Sequence, residues 1–291
     1  MDRKDFLMRG LLGGGLLIAA GSKATGKNQI DELQSLETGL VGFNHLPPAE
    51  SMNGPNFVLH TSKTRGFADH GWLKTHHTFS FANYYHPERM HFGALRVLND
   101  DTVDPGMGFG THPHDNMEIV SIPLEGDLEH KDSMGNVSVI RNGDIQVMSA
   151  GTGIQHSEYN RNKDKKVKFL QIWVFPDKQD VKPRYDQVNL KLQDRHNRFQ
   201  QIVSPNAGEP GVWVHQKTWF HMAKTDAGKM LRYSLKDKRN GLYIFLLSGK
   251  MEVHGQELSA RDGMGIWNVS ELAFKSKNAS EVLLMELPLV L

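Results

Sequence analysis

The sequence predicts an all-β protein made of two β-barrel domains of the jelly-roll kind. Three observations predict this fold class. From residue 57 onward the chain carries short runs rich in Val, Ile, Phe and Leu and no long apolar pattern of helical period. Turn signals separate these runs at intervals of roughly 8–12 residues, which is typical of sandwiches and barrels. Two turn sequences also recur in the second half of the chain, which indicates a duplicated unit.

The first 26 residues are predicted to be an export signal that lies outside the fold. Arg3, Lys4 and Arg9 make the start basic, and a short apolar run at 11–20 is followed by small residues. A run of about 10 residues is too short to cross a ~30 Å hydrocarbon core, so no stable membrane span is expected. Residues 3–7 (Arg-Lys-Asp-Phe-Leu) resemble a twin-arginine signal with Lys as its second basic residue. We therefore expect a periplasmic or otherwise exported protein, with the cytoplasm as the alternative.

A linker and the first barrel follow this leader. Residues 27–56 are polar and contain Pro47, Pro48 and Pro55, which predicts the linker. The first barrel is assigned to residues 57–176, and the Asn142-Gly143 dipeptide inside it is a strong hairpin-turn signal. Its clearest predicted strands are residues 92–98, 117–124, 137–140, 145–148 and 167–175.

The second barrel is predicted at residues 211–291, after a polar crossover at 177–210 that contains three prolines. Two of its turns repeat turns of the first barrel. Leu-Glu-Gly-Asp at 124–127 resembles Leu-Ser-Gly-Lys at 247–250, and Asn-Gly-Asp at 142–144 resembles Arg-Asp-Gly at 261–263. The predicted strands of this half are residues 211–215, 217–223, 243–247, 250–253, 264–267 and 281–287.

Composition excludes several classes of site and of partner. The chain has no Cys, so zinc fingers, iron–sulfur clusters, disulfides and cysteine nucleophiles are excluded. With 34 basic and 33 acidic residues, the net charge of +1 gives no electrostatic reason to expect nucleic acid or an anionic membrane surface as a partner. The 15 histidines point instead to a metal, because His is the commonest metal ligand.

Two pairs of side chains have the chemistry and the spacing of metal ligands. His112 and His114 stand at i and i+2, and such residues project to the same face of an extended chain. His156 and Glu158 repeat this spacing. Two facing strands of a barrel would bring all four side chains to one point. Three imidazoles and one carboxylate suit Fe, Mn, Ni, Cu or Zn, and without a thiolate they do not select among these metals.

The remaining candidates carry weaker signals. Glu118 lies an even number of residues after His114, so it points the same way if the strand between them is regular. His76 and His77 are sequence neighbours that face opposite sides if extended, which favours packing or surface roles. His130 is assigned no paired ligand partner. The second barrel has neither a His-x-His nor a His-x-Glu sequence, so it is predicted to be metal-free and structural.

The arrangement of these residues resembles the two motifs of the cupins. The order Gly-x5-His-x-His-x3-Glu-x7-Gly at 106–126, followed by Gly-x2-His-x3-Asn at 153–160, carries this resemblance. The first motif is one residue longer than the commonest cupin form. The second has Ser-Ala-Gly-Thr-Gly at 149–153 where cupins usually place a proline–glycine turn. Together with His-Pro-His at 112–114 and His-Ser-Glu at 156–158, these features resemble the pirin family closely, from about residue 57 to residue 291.

The resemblance implies a bicupin with one divalent transition metal, held in the N-terminal barrel only. It implies His112, His114, His156 and Glu158 as ligands, whereas other cupins use the carboxylate at the position of Glu118. We therefore expect Glu118 either to contact the ligands from behind or to line the pocket. Iron is the expected metal, ahead of Mn, Ni, Cu and Zn.

The same resemblance implies an activity, quercetin 2,3-dioxygenase, in which a flavonol ring is opened with O2 and carbon monoxide leaves. In such a site Glu158 could take the hydroxyl proton of the substrate, which is general-base chemistry beside a metal. The alternative is a non-catalytic regulatory or partner-binding protein, since pirins also act in this way. The sequence specifies no protein partner, and an export signal argues against a transcriptional role. An isomerase or sugar-modifying cupin is a third interpretation.

Overall fold

The computed structural model describes residues 55–290. The predicted export signal (1–26) and nearly all of the predicted linker (27–56) therefore lie outside the described residues. The described chain contains 22 β-strands and two short 3-10 helices, Ser62–Thr64 and Leu192–Arg195. Within this part of the chain, no helix has the length and hydrophobicity that crossing a membrane requires.

The strands are short and follow one another closely along the chain. The first eleven are β1 (Asn56–His60), β2 (Gly66–Asp69), β3 (Leu73–His77), β4 (Leu95–Val103), β5 (Gly108–His114), β6 (Glu118–Glu125), β7 (Asp127–Asp132), β8 (Val137–Arg141), β9 (Asp144–Ser149), β10 (Ile154–Asn160) and β11 (Val167–Val174). The others are β12 (Arg184–Asn189), β13 (Gln200–Ser204), β14 (Val212–Trp213), β15 (Trp219–Thr225), β16 (Met230–Ser234), β17 (Asn240–Ser248), β18 (Lys250–Val253), β19 (Gln256–Ser259), β20 (Gly263–Trp267), β21 (Glu271–Ser276) and β22 (Ser280–Pro288).

These strands form two barrels, each made of a seven-stranded and a four-stranded sheet. The first barrel has the sheet orders β12-β9-β6-β11-β4-β3-β2 and β5-β10-β7-β8. The second has β1-β20-β17-β22-β15-β13-β14 and β16-β21-β18-β19. The predicted all-β fold with two jelly-roll barrels is thus confirmed. The duplicated turns are also present, because Gly126 and Gly249 both end a long strand with positive φ, at +77° and +87°.

Three strands cross the boundaries that the sequence suggests. β1 lies at the start of the predicted first barrel (57–176) but pairs with β20 of the second, with Asn56 opposite Trp267 and His60 opposite Gly263. β12 and β13 both lie within the predicted crossover (177–210), but β12 pairs with β9 of the first barrel and β13 pairs with β15 of the second. Polarity along the chain suggested these boundaries. Sheet membership instead depends on hydrogen-bond partners that are distant in sequence.

The two seven-stranded sheets pack face to face around a shared apolar core. Val120 and Ile172 contribute to this core from the first barrel, and Phe220 and Leu283 contribute from the second. One further cluster fills the interior of the second barrel. The interior of the first barrel is different, because its apolar side chains divide into two smaller clusters. Polar side chains lie in the same interior, which leaves the first barrel with the means to hold a polar site.

Candidate metal centre

Antiparallel pairing of β5 with β10 brings the two predicted ligand pairs together. His112 is directly opposite His156, and His114 is opposite Ile154. The register then shifts between His156 and Glu158, so that Glu158 faces Phe109. The i/i+2 spacing on each strand and the register between the strands together determine which side chains meet.

The three histidines meet in the interior of the first barrel. The ligand nitrogens of His112, His114 and His156 all lie within 4.8 Å of one another. The Nε2 atoms of His114 and His156 are 3.0 Å apart. Two nitrogens bound at right angles to one metal at about 2.1 Å would be about 3.0 Å apart, so this spacing fits a shared ion.

Hydrogen bonds behind the rings fix which nitrogen of His112 and of His156 is available to a metal. His112 Nδ1–H donates to the Gly110 carbonyl at 2.7 Å, which leaves the lone pair on Nε2. His156 Nδ1 lies 3.4 Å from His130 Nδ1, and His130 Nε2 lies 3.2 Å from a carboxylate oxygen of Asp132. Because Asp132 accepts from His130 Nε2–H, His130 Nδ1 accepts from His156 Nδ1–H. The lone pair of His156 is therefore on Nε2, facing His114.

His130 and Asp132 are functional residues that the sequence analysis missed. It assigned His130 no ligand partner, although His130-x-Asp132 has the same i/i+2 spacing as the pairs that it singled out. The link to His156 comes from the pairing of β7 with β10, in which Asp132 is opposite His156 and His130 is opposite Glu158. The i/i+2 spacing of His130 and Asp132 can be read from the sequence, but the pairing register between β7 and β10 cannot.

Glu158 adjoins the three histidines through His156. Its carboxylate lies with His130 and His156 in a second group whose ligand atoms are within 4.8 Å of one another. One oxygen accepts from Ser121 Oγ–H at 3.1 Å and the other from Gln171 Nε2–H at 2.7 Å. Ser121 on β6 and Gln171 on β11 thus hold Glu158 from the facing sheet.

Burial sets the charge states of these groups. It lowers the pKa of His156 well below 6.5, and repulsion from His112 and His114 acts in the same direction. His156 is therefore a neutral imidazole at neutral pH. Burial raises the pKa of Glu158, against the opposing effects of His130 and of the Ser121 hydrogen bond. A buried carboxylate is costly without a nearby positive charge, so the neutral His156 imidazole beside Glu158 fits a divalent cation.

A cavity in the first barrel opens onto this group. Its apolar lining includes Phe81, Phe109, Ile119 and Trp173, and its polar lining includes Thr75, Asn99, Asp101 and Gln171. His77 also lines it and is buried, with Nδ1 at 2.8 Å from the side-chain oxygen of Asn99. The sequence favoured a packing or surface role for His77, whereas the structure places it in the wall of the cavity.

Glu118 lies outside the lining of this cavity. Asn116, with φ of +44°, interrupts the chain between β5 and β6, so the even spacing from His114 does not carry Glu118 into the pocket. Ile119 lines the cavity, whereas Val120 and Ile122, on the same face of β6 as Glu118, belong to the core between the barrels. The carboxylate of Glu118 accepts from Ser149 Oγ–H at 2.7 Å.

Within residues 55–290, both groups of side chains close enough to hold one ion belong to the first barrel. The metal-free second barrel remains a prediction. Its interior is filled by a single apolar cluster that includes Met251, Phe274 and Leu284.

Comparison with known families agrees with this architecture. The Pirin family model matches residues 58–174, and the model described as Quercetinase C-terminal cupin domain matches residues 201–287. Quercetin 2,3-dioxygenase of Escherichia coli K12 is 41% identical over 230 residues, which cover 79% of this chain and 98% of that protein. A pirin-like protein of Caulobacter vibrioides is 37% identical over 222 residues, covering 76% of this chain and 95% of its own length.

Solved structures give the same result. The bacterial pirin YhhW from Escherichia coli, solved in complex with nickel(II), is 40% identical with a TM-score of 0.76. The match covers 81% of this chain and all of that one (100%). Both domain models and a relative of this identity and coverage assign the chain in the same way: it belongs to the pirin family.

Proposed function

We propose that this chain is a metal-dependent dioxygenase that opens flavonol-type, quercetin-like substrates with O2. One observation carries the proposal: three imidazoles, of which those of His114 and His156 are buried, converge beside Glu158 at the wall of a cavity with aromatic lining. The relatives named quercetin 2,3-dioxygenase support the substrate class, because they match nearly their full length to this chain.

The proposed ligands are His112, His114, His156 and Glu158, holding one divalent transition metal. Iron is our expectation, and nickel is supported by the nickel(II) complex of the related pirin. When bound, the metal supplies Lewis acidity at the substrate oxygen and a site for O2.

The surrounding residues bind the substrate, shield it from water and accept its proton. Phe81, Phe109 and Trp173 line the cavity with rings that suit a flat aromatic molecule. We assign proton transfer to Glu158, which takes the proton of the substrate hydroxyl that approaches the metal. Ser121 and Gln171 fix the position of the carboxylate for this role.

The test uses metal-depleted protein reloaded separately with Fe(II), Mn(II), Ni(II) and Cu(II) and mixed with quercetin in air. We expect loss of the flavonol absorbance and release of carbon monoxide with at least one metal. His112→Ala and Glu158→Gln should each lower kcat/KM by more than about 100-fold, beyond the 10–100-fold usual for residues behind the ligands. His196→Ala is the matched control, because this histidine is exposed and far along the chain from the site. Metal binding without turnover would contradict the proposal and favour the non-catalytic metal-binding protein.

Export of the chain also remains a proposal, supported by residues 1–26 of the sequence alone.

A further inference from the structure

One part of the cavity wall carries two polar side chains with unsatisfied atoms. Thr75 on β3 and Asp101 on β4 are direct cross-strand partners, so their side chains lie on the same face of the sheet. They are 3% and 4% exposed, and both line the cavity. Within the described part of the chain, Oγ1 of Thr75 and Oδ1 of Asp101 have no hydrogen-bond partner.

Within the described residues the indole N–H of Trp173, which lines the same cavity, also lacks a partner, but the polar side chains two residues along each strand from the pair are satisfied. His77 and Asn99 bond each other, and Gln171 donates to Glu158. Buried polar atoms in proteins nearly always have partners, because leaving one unpaired opposes folding. Two adjacent exceptions that face one cavity therefore indicate that a bound molecule supplies the missing hydrogen bonds.

The position of the pair defines what that molecule must offer. Thr75 and Asp101 belong to the seven-stranded sheet, whereas the three histidines lie on β5 and β10 of the four-stranded sheet across the barrel. Aromatic side chains, including Phe81 and Phe109, line the same cavity. A ligand that reaches both sheets thus has one oxygen at the histidines, an apolar body and a second polar group at Thr75 and Asp101.

We propose that Thr75 and Asp101 form a subsite for a phenolic hydroxyl of the substrate, separate from the hydroxyl that meets the metal. The phenol O–H donates to Oδ1 of Asp101, and its oxygen accepts from the hydroxyl of Thr75. Burial raises the pKa of Asp101 to about 7, the hydroxyl of the neighbouring Thr75 opposes this rise, and the carboxylates of Asp100 and Glu158 reinforce it. A phenol O–H that donates to this buried carboxyl stabilises its ionised form. The inference rests on the proposed function, and it narrows the substrate class to polyhydroxylated flavonols.

The test compares two ligands in anaerobic, nickel-loaded full-length protein, where no O2 is available for turnover. Quercetin carries several ring hydroxyls, whereas 3-hydroxyflavone keeps only the hydroxyl that would meet the metal. Quenching of tryptophan fluorescence reports the dissociation constants, since Trp173 lines the cavity. We expect Thr75→Val and Asp101→Ala each to weaken quercetin binding about 10-fold or more and to leave 3-hydroxyflavone binding unchanged.

Thr102→Val is the matched control for Thr75→Val. Thr102 is the next residue after Asp101 on β4 and therefore faces the other side of the sheet. The Thr102→Val variant should bind both ligands as tightly as the wild type does. Equal weakening of both ligands, no weakening, or wild-type protein with no preference for quercetin would each overturn the subsite.

The turnover assay separates this inference from the proposed function. Selective binding that depends on Thr75 and Asp101, without turnover in air by any metal form, would support the subsite and reject the dioxygenase. Turnover in air without this selectivity would support the dioxygenase and reject the subsite.

Discussion

At the scale of single residues, the site depends on groups that control the protonation of others. His156 offers Nε2 to a metal only if its proton sits on Nδ1, and His130 is the group that accepts that proton's hydrogen bond. The Asp132 carboxylate in turn holds His130 in the required tautomer. In the proposed site, this chain of three residues therefore presents His156 Nε2 to the metal, although His130 and Asp132 are not among the proposed ligands.

This chain predicts the effect of replacing Asp132 by Asn. The amide has nearly the same shape, but its NH2 group can donate to His130 Nε2 and move the His130 proton to Nδ1, where it opposes His156 Nδ1–H. We expect Asp132→Asn to lower the affinity for Ni(II) or Fe(II) by about 10- to 100-fold, measured by competition with a chromophoric chelator.

Asn136→Ala is the control for this substitution. Asn136 donates to Asp132 through both its backbone and its side chain, so its removal perturbs the same turn without touching His130. Its affinity should stay near that of the wild type. An equal loss in both variants would show that turn geometry, and not the His130 tautomer, governs the site.

The residues that sequence could predict at this scale are those whose relation is local. His112, His114, His156 and Glu158 were singled out because i/i+2 spacing fixes a common face within one strand. His130, Thr75 and Asp101 were not, because their roles depend on partners in other strands. No spacing along the chain reveals that Thr75 is opposite Asp101.

At the scale of elements, the β5–β10 pair is the structure that assembles the site. β5 carries His112 and His114, β10 carries His156 and Glu158, and Gly108 of β5 is opposite Tyr159 of β10. A Cβ atom added to Gly108 would lie 2.5 Å from Tyr159 Cα and also too close to the Glu158 carbonyl. Glycine here permits close contact of two backbones.

We predict that Gly108→Ala separates β5 from β10 and so weakens the metal site while keeping every ligand. Overpacking against a backbone should lower the free energy of unfolding by about 1–3 kcal/mol. Metal affinity should fall by about 10-fold, since each 1.4 kcal/mol of lost binding energy is tenfold. Thermal unfolding and chelator competition measure the two effects.

Gly208→Ala controls for the loss of glycine itself. No atom lies within 4 Å of a Cβ built at Gly208, so this variant should match the wild type in both measurements. Normal metal affinity in Gly108→Ala would mean that the β5–β10 contact is not what holds the two ligand pairs together.

The apolar runs of the sequence predicted half of the described strands, 11 of 22, and did not predict which sheet each strand joins. β17 and β22 were recognised because they are buried on both faces and therefore read as continuous apolar runs. β12 was absorbed into a predicted crossover because its residues are only half-buried. β1, with a single fully buried residue, gave no sign that it completes the second barrel.

At the scale of the whole molecule, the two barrels have the same pair of seven-stranded and four-stranded sheets, but their interiors differ. The second is filled by one apolar cluster, and the first keeps a cavity between two smaller ones. The seven-stranded sheets, joined through their shared core, bind the barrels together. A charge buried where the barrels meet should therefore affect the stability of the entire protein.

Glu118 is such a group and gives the molecule a pH-dependent stability. Burial raises its pKa to about 7 from 4.5, although the Ser149 hydroxyl, the backbone N–H of His215 and the Arg184 charge oppose this. Between these two pH values the folded state holds a proton that the unfolded state releases. The contribution of Glu118 to the free energy of unfolding consequently falls as pH rises from about 4.5 to 7 and stays low above that range.

Glu118→Gln removes this ionisation, so the variant should gain stability relative to the wild type as pH rises. We expect the difference in unfolding free energy, variant minus wild type, to be larger at pH 8 than at pH 5 by roughly 1–3 kcal/mol. Urea unfolding of the metal-depleted proteins at both pH values measures it, and any pH-independent loss of a hydrogen bond cancels. Glu125→Gln is the control, because Lys168 holds the pKa of this exposed carboxyl below its ordinary value and it stays ionised throughout. Equal differences at the two pH values for Glu118→Gln would mean that this carboxylate keeps its charge at the junction of the barrels.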